Sequence, residues 1–328
     1  MLRVGMTYDL RTDYLEEGYS EVQTAEFDQP STIDAIEETL GSLGYRTDRI
    51  GHVRALAKRL VAGDRWDLVF NIAEGLKGFG RESQVPCLLD AYDIPYVFSD
   101  PLVLSLTLHK AMAKRVVRDL GIPTPDFAVV EDTGDIAAVS LPYPLFVKPL
   151  SEGTGKGINE KSIVRNSGEL DARCRSLLEA FSQPVLVETY LSGREFTVGI
   201  VGTGRKARIL AVMEVILREN AEKDVYSLVN KEYCEKFVDY ALVAGEEAER
   251  VSTVALAAWR GLECRDGGRL DIRADASGVP HFLEVNPLAG LHPTHSDLPI
   301  LSALAGVSYR DLLGMIMASA EDRLRCGR

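Results

Sequence analysis

At 328 residues the chain exceeds what one hydrophobic core ordinarily organises, so two or three domains are expected. Lys and Arg number 37 against 49 Asp and Glu; the resulting charge of −12 argues against a general nucleic-acid binder, which needs a basic face, but permits a local basic pocket for a small anion. The five cysteines, Cys87, Cys174, Cys234, Cys264 and Cys326, form no C-x-x-C pair, which argues against a zinc cluster or disulfide framework and makes a reducing cytosol the simplest location.

The opening MLRVGMTYDL reads as a strand and not as a signal sequence. No apolar run approaches about 20 residues, so no membrane span is expected. Residues 31–44 place Ile33, Ile36, Leu40 and Leu43 on one helical stripe, with Ser31 positioned to cap the start and Gly44 to end it. YRTDRI then reads as a strand, HVRALAKRLVAG as a helix, WDLVFNI as an apolar strand, RESQVPCLLDAYD as a helix and IPYVFS as a short strand. This βαβαβ order predicts parallel strands with helical crossovers. The polar segment 9–30 is long for a connection, and such lengths often carry function. TLHKAMAKRVVRDLG predicts a helix ending at Gly121 before IPTP. Beyond it DFAVV, PLFVKPL, PVLVETYL, REFTVGIVG and ARILAVMEVIL read as strands joined mostly without long helices, which predicts an antiparallel sheet. A helix near 245–261, the strands GRLDIRADA and PHFLEVNPL, and helices near 299–305 and 308–320 complete the chain.

Chemistry concentrates around YPLFVKPLSEGTGKGI, residues 143–158. The P-loop pattern fails because Gly157 follows Lys156, and the dinucleotide pattern fails because Ile158 stands where its third glycine belongs. Alone, this loop reads equally well as a flexible hairpin or as an anion cradle built from loop amides, with Lys156 adding charge. Lys148, however, ends an apolar run, where an ammonium requires a carboxylate or phosphate beside it. Downstream, Asp271 is central in one strand, and Glu284 and Asn286 occupy alternate positions, hence one face, of the next. Three oxygen donors with room for phosphate and water suit magnesium. The competing reading is a solvated polar sheet face, which the flanking Phe282, Leu283 and Val285 oppose because they read as sheet core.

With these segments in order, the chain resembles the D-alanine–D-alanine ligase branch of the ATP-grasp superfamily over nearly its whole length. The resemblance rests on FVKPLSEGTGKGI, VLVETYLSGREFTVGI, RLDIRADASGVPHFLEVNPLAG and IPYVFSDPLVLSLTLHKAMAKRVV. It implies an α/β and α+β fold: an N-terminal parallel domain over 1–100, a central domain over 101–187 carrying a glycine-rich lid, and a C-terminal domain over 188–328. The last two would hold antiparallel sheets with ATP between them. It implies a ligase that phosphorylates a carboxylate with ATP and joins it to an amine, using Mg2+, two ions by family pattern, with Mn2+ as an alternative.

By matching positions, Lys110 and Lys148 resemble the phosphate-binding lysines, Glu188 and Leu191 the segment that meets adenine, and Glu195 the carboxylate that holds the ribose. Lys231 resembles a third lysine near the γ-phosphate, and Arg269 the arginine that steadies the transferred phosphoryl group. Asp271, Glu284 and Asn286 resemble the metal ligands, and Thr154 and Gly155 the catalytic part of the lid. Gly290 and Ser296 resemble donors to the second amino acid's carboxylate. Partners would be a small carboxylate and an amine, without nucleic acid or membrane, in a cytoplasmic homodimer.

Departures cluster where such a ligase recognises its amino acids. The N-terminal signature is absent, leaving Glu26, with Asp28 close behind, nearest the ammonium-binding role; an acidic residue near a helix start is the equally weighted alternative. Glu74 replaces a histidine, Thr154–Gly155 a serine pair and Glu232 a tyrosine, and AGLHPTHS adds His292 and His295, which read slightly better as loop residues than as substrate contacts. An altered substrate is therefore expected. A nucleotide-binding regulatory protein without turnover and a kinase that stops at phosphoryl transfer are the alternatives.

Overall fold

A computed structural model describes residues 1–222 and 225–325; Cys326 lies outside them. The chain opens with β1 (Arg3–Thr7), α1 (Arg11–Glu16), α2 (Pro30–Ser42), β2 (Arg46–Gly51), α3 (Val53–Val61), β3 (Leu68–Asn71) and α4 (Gln84–Ala91). The three strands form a parallel sheet in the order β2-β1-β3, as the alternating pattern predicts. Two local expectations are corrected. The cap of α2 is Gln29 without a side-chain bond, not Ser31, because Pro30 takes the first helical position and pre-sets its dihedral. IPYVFS is not a fourth strand: after one bridge between Val69 and Tyr96, Phe98 adopts φ +76° and turns the chain out of the sheet.

The helix expected over TLHKAMAKRVVRDLG starts only at Lys110, as α6 (Lys110–Asp119); its first two residues, Thr107 and Leu108, belong to a preceding, unexpected helix, α5 (Pro101–Leu108). The break is His109, whose ring nitrogen accepts the Met112 N–H and so starts a new helix at Lys110. The central sheet contains β4 (Phe127–Val130), β5 (Leu145–Pro149), β6 (Ile163–Val164) and β7 (Val185–Thr189), antiparallel in the order β4-β7-β5-β6. Its cover is a 15-residue helix that the strand-rich reading missed, α7 (Ser167–Phe181). Asn166 caps α7 by accepting the Glu169 N–H, and Leu170, Cys174 and Leu177 face the sheet at helical spacing.

The remaining elements are β8 (Glu195–Val201), β9 (Arg208–Leu217), α8 (Leu228–Glu232), α9 (Cys234–Phe237), β10 (Val238–Leu242), α10 (Gly245–Gly261), β11 (Gly267–Ala274), β12 (Pro280–Asn286), α11 (Asp297–Leu304) and α12 (Tyr309–Arg325). Their five strands form the expected second antiparallel sheet, ordered β10-β9-β8-β11-β12. Phe196, Leu270, Ile272 and Phe282 pack from one face of this sheet with Trp259 of α10. Arg269, Asp271 and Arg273 alternate with them along β11 and are thereby presented to the opposite face. α12 returns to the N-terminal sheet, where Leu312, Ile316 and Met317 share a core with Val4, Met6, Ile33 and Phe70. No single helix among the described residues is long and apolar enough to cross a membrane.

Asp266 fastens this return. Fully buried, it accepts the Phe98 N–H at 2.8 Å, the Ser319 hydroxyl at 2.9 Å and the Arg323 guanidinium at 2.6 Å. Replacing it with alanine strands a largely buried guanidinium, and breaking such a pair costs about 3–5 kcal/mol. Asp266→Ala is expected to lower the midpoint of the first urea-unfolding transition by that equivalent; an unchanged midpoint refutes the role.

Candidate active site

The cleft between the two antiparallel sheets gathers most of the residues singled out by sequence. On β5 and β7, Phe146 lies opposite Glu188, and Lys148 follows two residues later on the same face. Lys148 Nζ sits 2.8 Å from one Glu188 oxygen, and Lys114 Nζ sits 3.0 Å from the other. Glu188 is expected at the adenine segment; its side chain is buried between these two lysines. Burial opposes its charge, but Lys114 and Lys148 outweigh that and hold its carboxyl below the usual range. Burial brings Lys114 down to about 8, with Glu188 opposing the shift. Lys148 is shifted upward: burial opposes its charge, and Glu188 and Glu284 overcome that cost.

Across the cleft, Asp271 of β11 pairs in register with Glu284 of β12, and Arg269 with Asn286. A bulge after Asp271 re-aims the strand there. Arg269 is ion-paired to Asp271 and lies 3.8 Å from Asp297, and Thr197 donates to Asp271 at 3.2 Å. Lys110, placed on the first turn of α6 by the His109 break, lies 3.4 Å from Glu284 and donates to the Glu152 carbonyl at 2.6 Å. Burial again opposes charge on Glu284, but Lys110, Lys148, Lys231 and Arg269 hold it well below the carboxylate range. Lys110, Lys148, Leu191, Glu195, Lys231 and Asp271 line a single cavity. In it Glu195 pairs with Arg273 at 3.1 Å, and Lys231 lies 4.5 Å from the centre of the Tyr226 ring. Tyr226, absent from the sequence-based set, bonds to the Tyr240 hydroxyl at 2.8 Å and to Asp297 at 3.0 Å.

The glycine-rich loop folds over this cleft. Gly155 has φ +75°, and a Cβ there would stand 2.7 Å from the Leu228 backbone nitrogen, so the close seating of the loop requires glycine. Thr154 also has positive φ, +52°. Lys156, expected to add charge toward an anion, is buried and paired to Glu26 at 3.0 Å and to Glu152. Glu26 also accepts the Gly153 N–H and meets Arg81 at 3.1 Å. The polar segment 9–30 thus reaches the loop, a contact spanning some 127 residues that no local pattern signals.

Two further cavities adjoin the cleft. The inner one is lined by Glu26, Glu74, Glu82, Thr154, Arg269 and Glu284, among others. Burial and the neighbouring Glu82 push Glu74 well above the usual carboxyl range. Burial, opposed by Arg81, pushes Glu82 up to about 7. The outer cavity is lined by Asp28, Glu232, Gly290, His292, His295 and Ser296, among others. There Asp28 is pushed up to about 7, by burial first and then by Asp9. The Ser296 hydroxyl accepts the His292 N–H at 3.0 Å, and a Cβ on Gly290 would lie 2.8 Å from the same oxygen. His292 Nε2 lies 3.5 Å from the Ser31 hydroxyl, His295 Nδ1 3.9 Å from Cys234 Sγ, and Glu232 3.9 Å from Arg11.

Comparison with known proteins adds the following. The family model described as D-ala D-ala ligase C-terminus matches residues 116–318. A D-alanine–D-alanine ligase of Marinomonas sp. (strain MWYL1) is 31% identical over 264 residues, 79% of each chain. The uncharacterized protein y4sG of Sinorhizobium fredii is 32% identical over 263 residues, 78% of this chain and 75% of its own. Among solved structures, the D-alanine–D-alanine ligase of Bacillus anthracis complexed with ATP superposes with a TM-score of 0.74 at 23% identity, covering 100% of this chain and 99% of its own. The VanG D-Ala:D-Ser ligase of Enterococcus faecalis gives 0.74 at 20% identity, over 97% and 99%.

The upward shift of Glu82 makes stability depend on pH. Between the ordinary value of 4.5 and about 7 the folded chain binds more protons than the unfolded chain at this site. Stability from this group is therefore full below pH 4.5 and falls as pH rises toward 7, by at most about 1.4 kcal/mol per pH unit. Urea unfolding at pH 5, 6 and 7 is expected to show a shallower decline for Glu82→Gln than for the wild type; parallel declines refute the shift.

Proposed function

The chain belongs to the D-alanine–D-alanine ligase family, and we propose that it is an ATP-dependent carboxylate–amine ligase acting on a substrate pair that differs from two D-alanines. The observation that carries this reading is the convergence of Lys110, Lys148, Lys231 and Arg269 on Asp271 and Glu284 in one cleft between two antiparallel sheets. Phosphoryl transfer requires placement and charge neutralisation more than covalent help, and such a set supplies both. Lys110 and Lys148 would hold the ATP phosphates, Lys231 would approach the γ-phosphate, and Glu195 and Leu191 would line the nucleoside end. Arg269 would neutralise charge growing on the transferred group and on the tetrahedral carbon that follows. The carboxylate substrate takes the γ-phosphoryl group and releases ADP. The amine then attacks the acyl phosphate, so that a C–N bond forms as the C–O bond to phosphate breaks and the amine loses a proton. The loop held by Gly153–Lys156 would keep water from that intermediate.

The donors Asp271, Glu284 and Asn286 fit a hard divalent cation: all offer oxygen, and the surrounding cations keep Glu284 ionised. These residues would hold Mg2+, with Mn2+ accepted on the same chemistry; bound there, the metal supplies further neutralisation of phosphate charge. Support for an altered substrate comes from position. Glu74, Thr154, Glu232, His292 and His295, which depart from the family pattern, line the inner and outer cavities that adjoin the cleft, and none of them lines the cavity shared by Lys148, Leu191 and Glu195. The homodimer, the cytoplasmic location and the three-domain division at 100 and 187 belong to the same proposal.

Phosphate release measured against a panel of D- and L-amino acids tests the reading. Glu284→Gln is expected to abolish release, and Lys148→Ala to raise the ATP concentration needed by about tenfold or more. Full turnover in Glu284→Gln sinks the metal assignment. Full turnover with D-alanine alone sinks the altered substrate. Release of ADP with a stable phosphorylated product and no amine requirement would establish a kinase instead.

A further inference from the structure

The inner cavity, about 100 Å3, contains more carboxylate than its own cations answer. Glu26 is the residue whose position best matches an ammonium-binding glutamate, yet its oxygens are already engaged by Arg81 at 3.1 Å, Lys156 at 3.0 Å and the Gly153 N–H. A substrate ammonium placed there would face two fixed cations gathered on one carboxylate, and like charges at such range repel. Glu152 is likewise paired with Lys156, and Glu284 with Lys110. Two carboxylates remain. Glu74 and Glu82 line the same cavity, and among the described residues neither makes an ion pair or hydrogen bond. Glu82 is only 9% exposed. An unpaired carboxylate at that depth carries a large desolvation cost, which a cation or a bound proton relieves.

Resting on the ligase reading above, we propose that the ammonium of the acid substrate is held by the Glu74–Glu82 pair, while Glu26 serves the loop as its anchor. One cation shared by two carboxylates makes charge-assisted hydrogen bonds at a site whose other walls, Lys110, Arg269 and Glu284, belong to the phosphoryl-transfer cleft. The carboxyl to be activated is thereby set toward that cleft from a fixed point. The pair also selects: an amino acid brings it a cation, whereas the corresponding hydroxy acid brings none. The raised pKa values of both groups agree with a pair that holds protons and gives them up to solvent when an ammonium arrives.

The experiment uses the full chain with a non-hydrolysable ATP analogue and magnesium. Probes are D- and L-alanine, serine and 2,3-diaminopropionate, with lactate and glycerate as hydroxy counterparts. Infrared difference spectra are expected to show loss of protonated-carboxyl absorption with at least one amino acid and with no hydroxy acid. The loss disappears in Glu74→Gln and Glu82→Gln. In phosphate release, both variants raise the KM for that amino acid by about tenfold or more while the KM for ATP stays unchanged. Glu82→Asp, which keeps the charge, recovers part of the effect. Glu26→Gln instead raises the ATP requirement and leaves the amino-acid KM unchanged. A carboxyl absorption that persists with every amino acid overturns the proposal, as does an amino-acid KM that rises in Glu26→Gln but not in the other two. Loss of the absorption without phosphate release from any pair keeps the ammonium site and overturns the ligase reading.

Discussion

One buried ammonium holds the cleft together. Lys114 has no solvent exposure, and its Nζ reaches Glu188 of the central sheet, the Thr124 hydroxyl and the carbonyl of Phe282 in the C-terminal sheet. A charge at that depth persists only if paired and hydrogen-bonded, so the two sheets are obliged to meet where Lys114 finds its partners. Glu188 then serves a second lysine, Lys148, whose position on β5 sets one wall of the cleft. Lys110, one helical turn before Lys114, sets the other by reaching Glu284. A single face of α6 therefore supplies both the structural cation and a cation that lines the cleft.

The whole chain is acidic, yet this cleft collects cations around Glu284, Asp271 and Glu188. Net charge describes how the molecule meets solvent and other molecules, whereas the site is organised by short pairs in a low local dielectric. Those pairs align β5 and β7 on one side and β11 and β12 on the other through the protein's own side chains. Such preorganisation is what makes electrostatic stabilisation of a transferring phosphoryl group effective.

Much of this arrangement was legible in the sequence, and the legible part has a common character. Glu284 and Asn286 share a face because strand residues two apart must, and the helical stripe of α2 follows from its period. Lys148 at the end of an apolar run demanded a counter-charge, and Glu188 supplies it. What escaped were effects decided by a single residue or by distant partners. His109 starts a new helix at Lys110 and leaves Thr107 and Leu108 to the helix before it, and Phe98 removes a strand by turning away. α7 was hidden because its stripe is interrupted by Arg173, which turns inward to the Gly157 carbonyl and the Ser162 hydroxyl. Glu26 could be placed near the site by its position, but its engagement with Arg81, Gly153 and Lys156 depends on three segments meeting in space.

The return of α12 to the N-terminal sheet has a consequence for biosynthesis. Val4, Met6 and Phe70 emerge from the ribosome long before Leu312, Ile316 and Met317, with which they share a core. At usual elongation rates the interval is on the order of tens of seconds. The parallel strands must spend it with one apolar face lacking its final cover. Vectorial folding can complete the two antiparallel sheets in turn, but it cannot finish the N-terminal one. A nascent chain of this protein therefore presents its first-made sheet as its last-closed, and that is the stage at which chaperone occupancy and misassembly should concentrate.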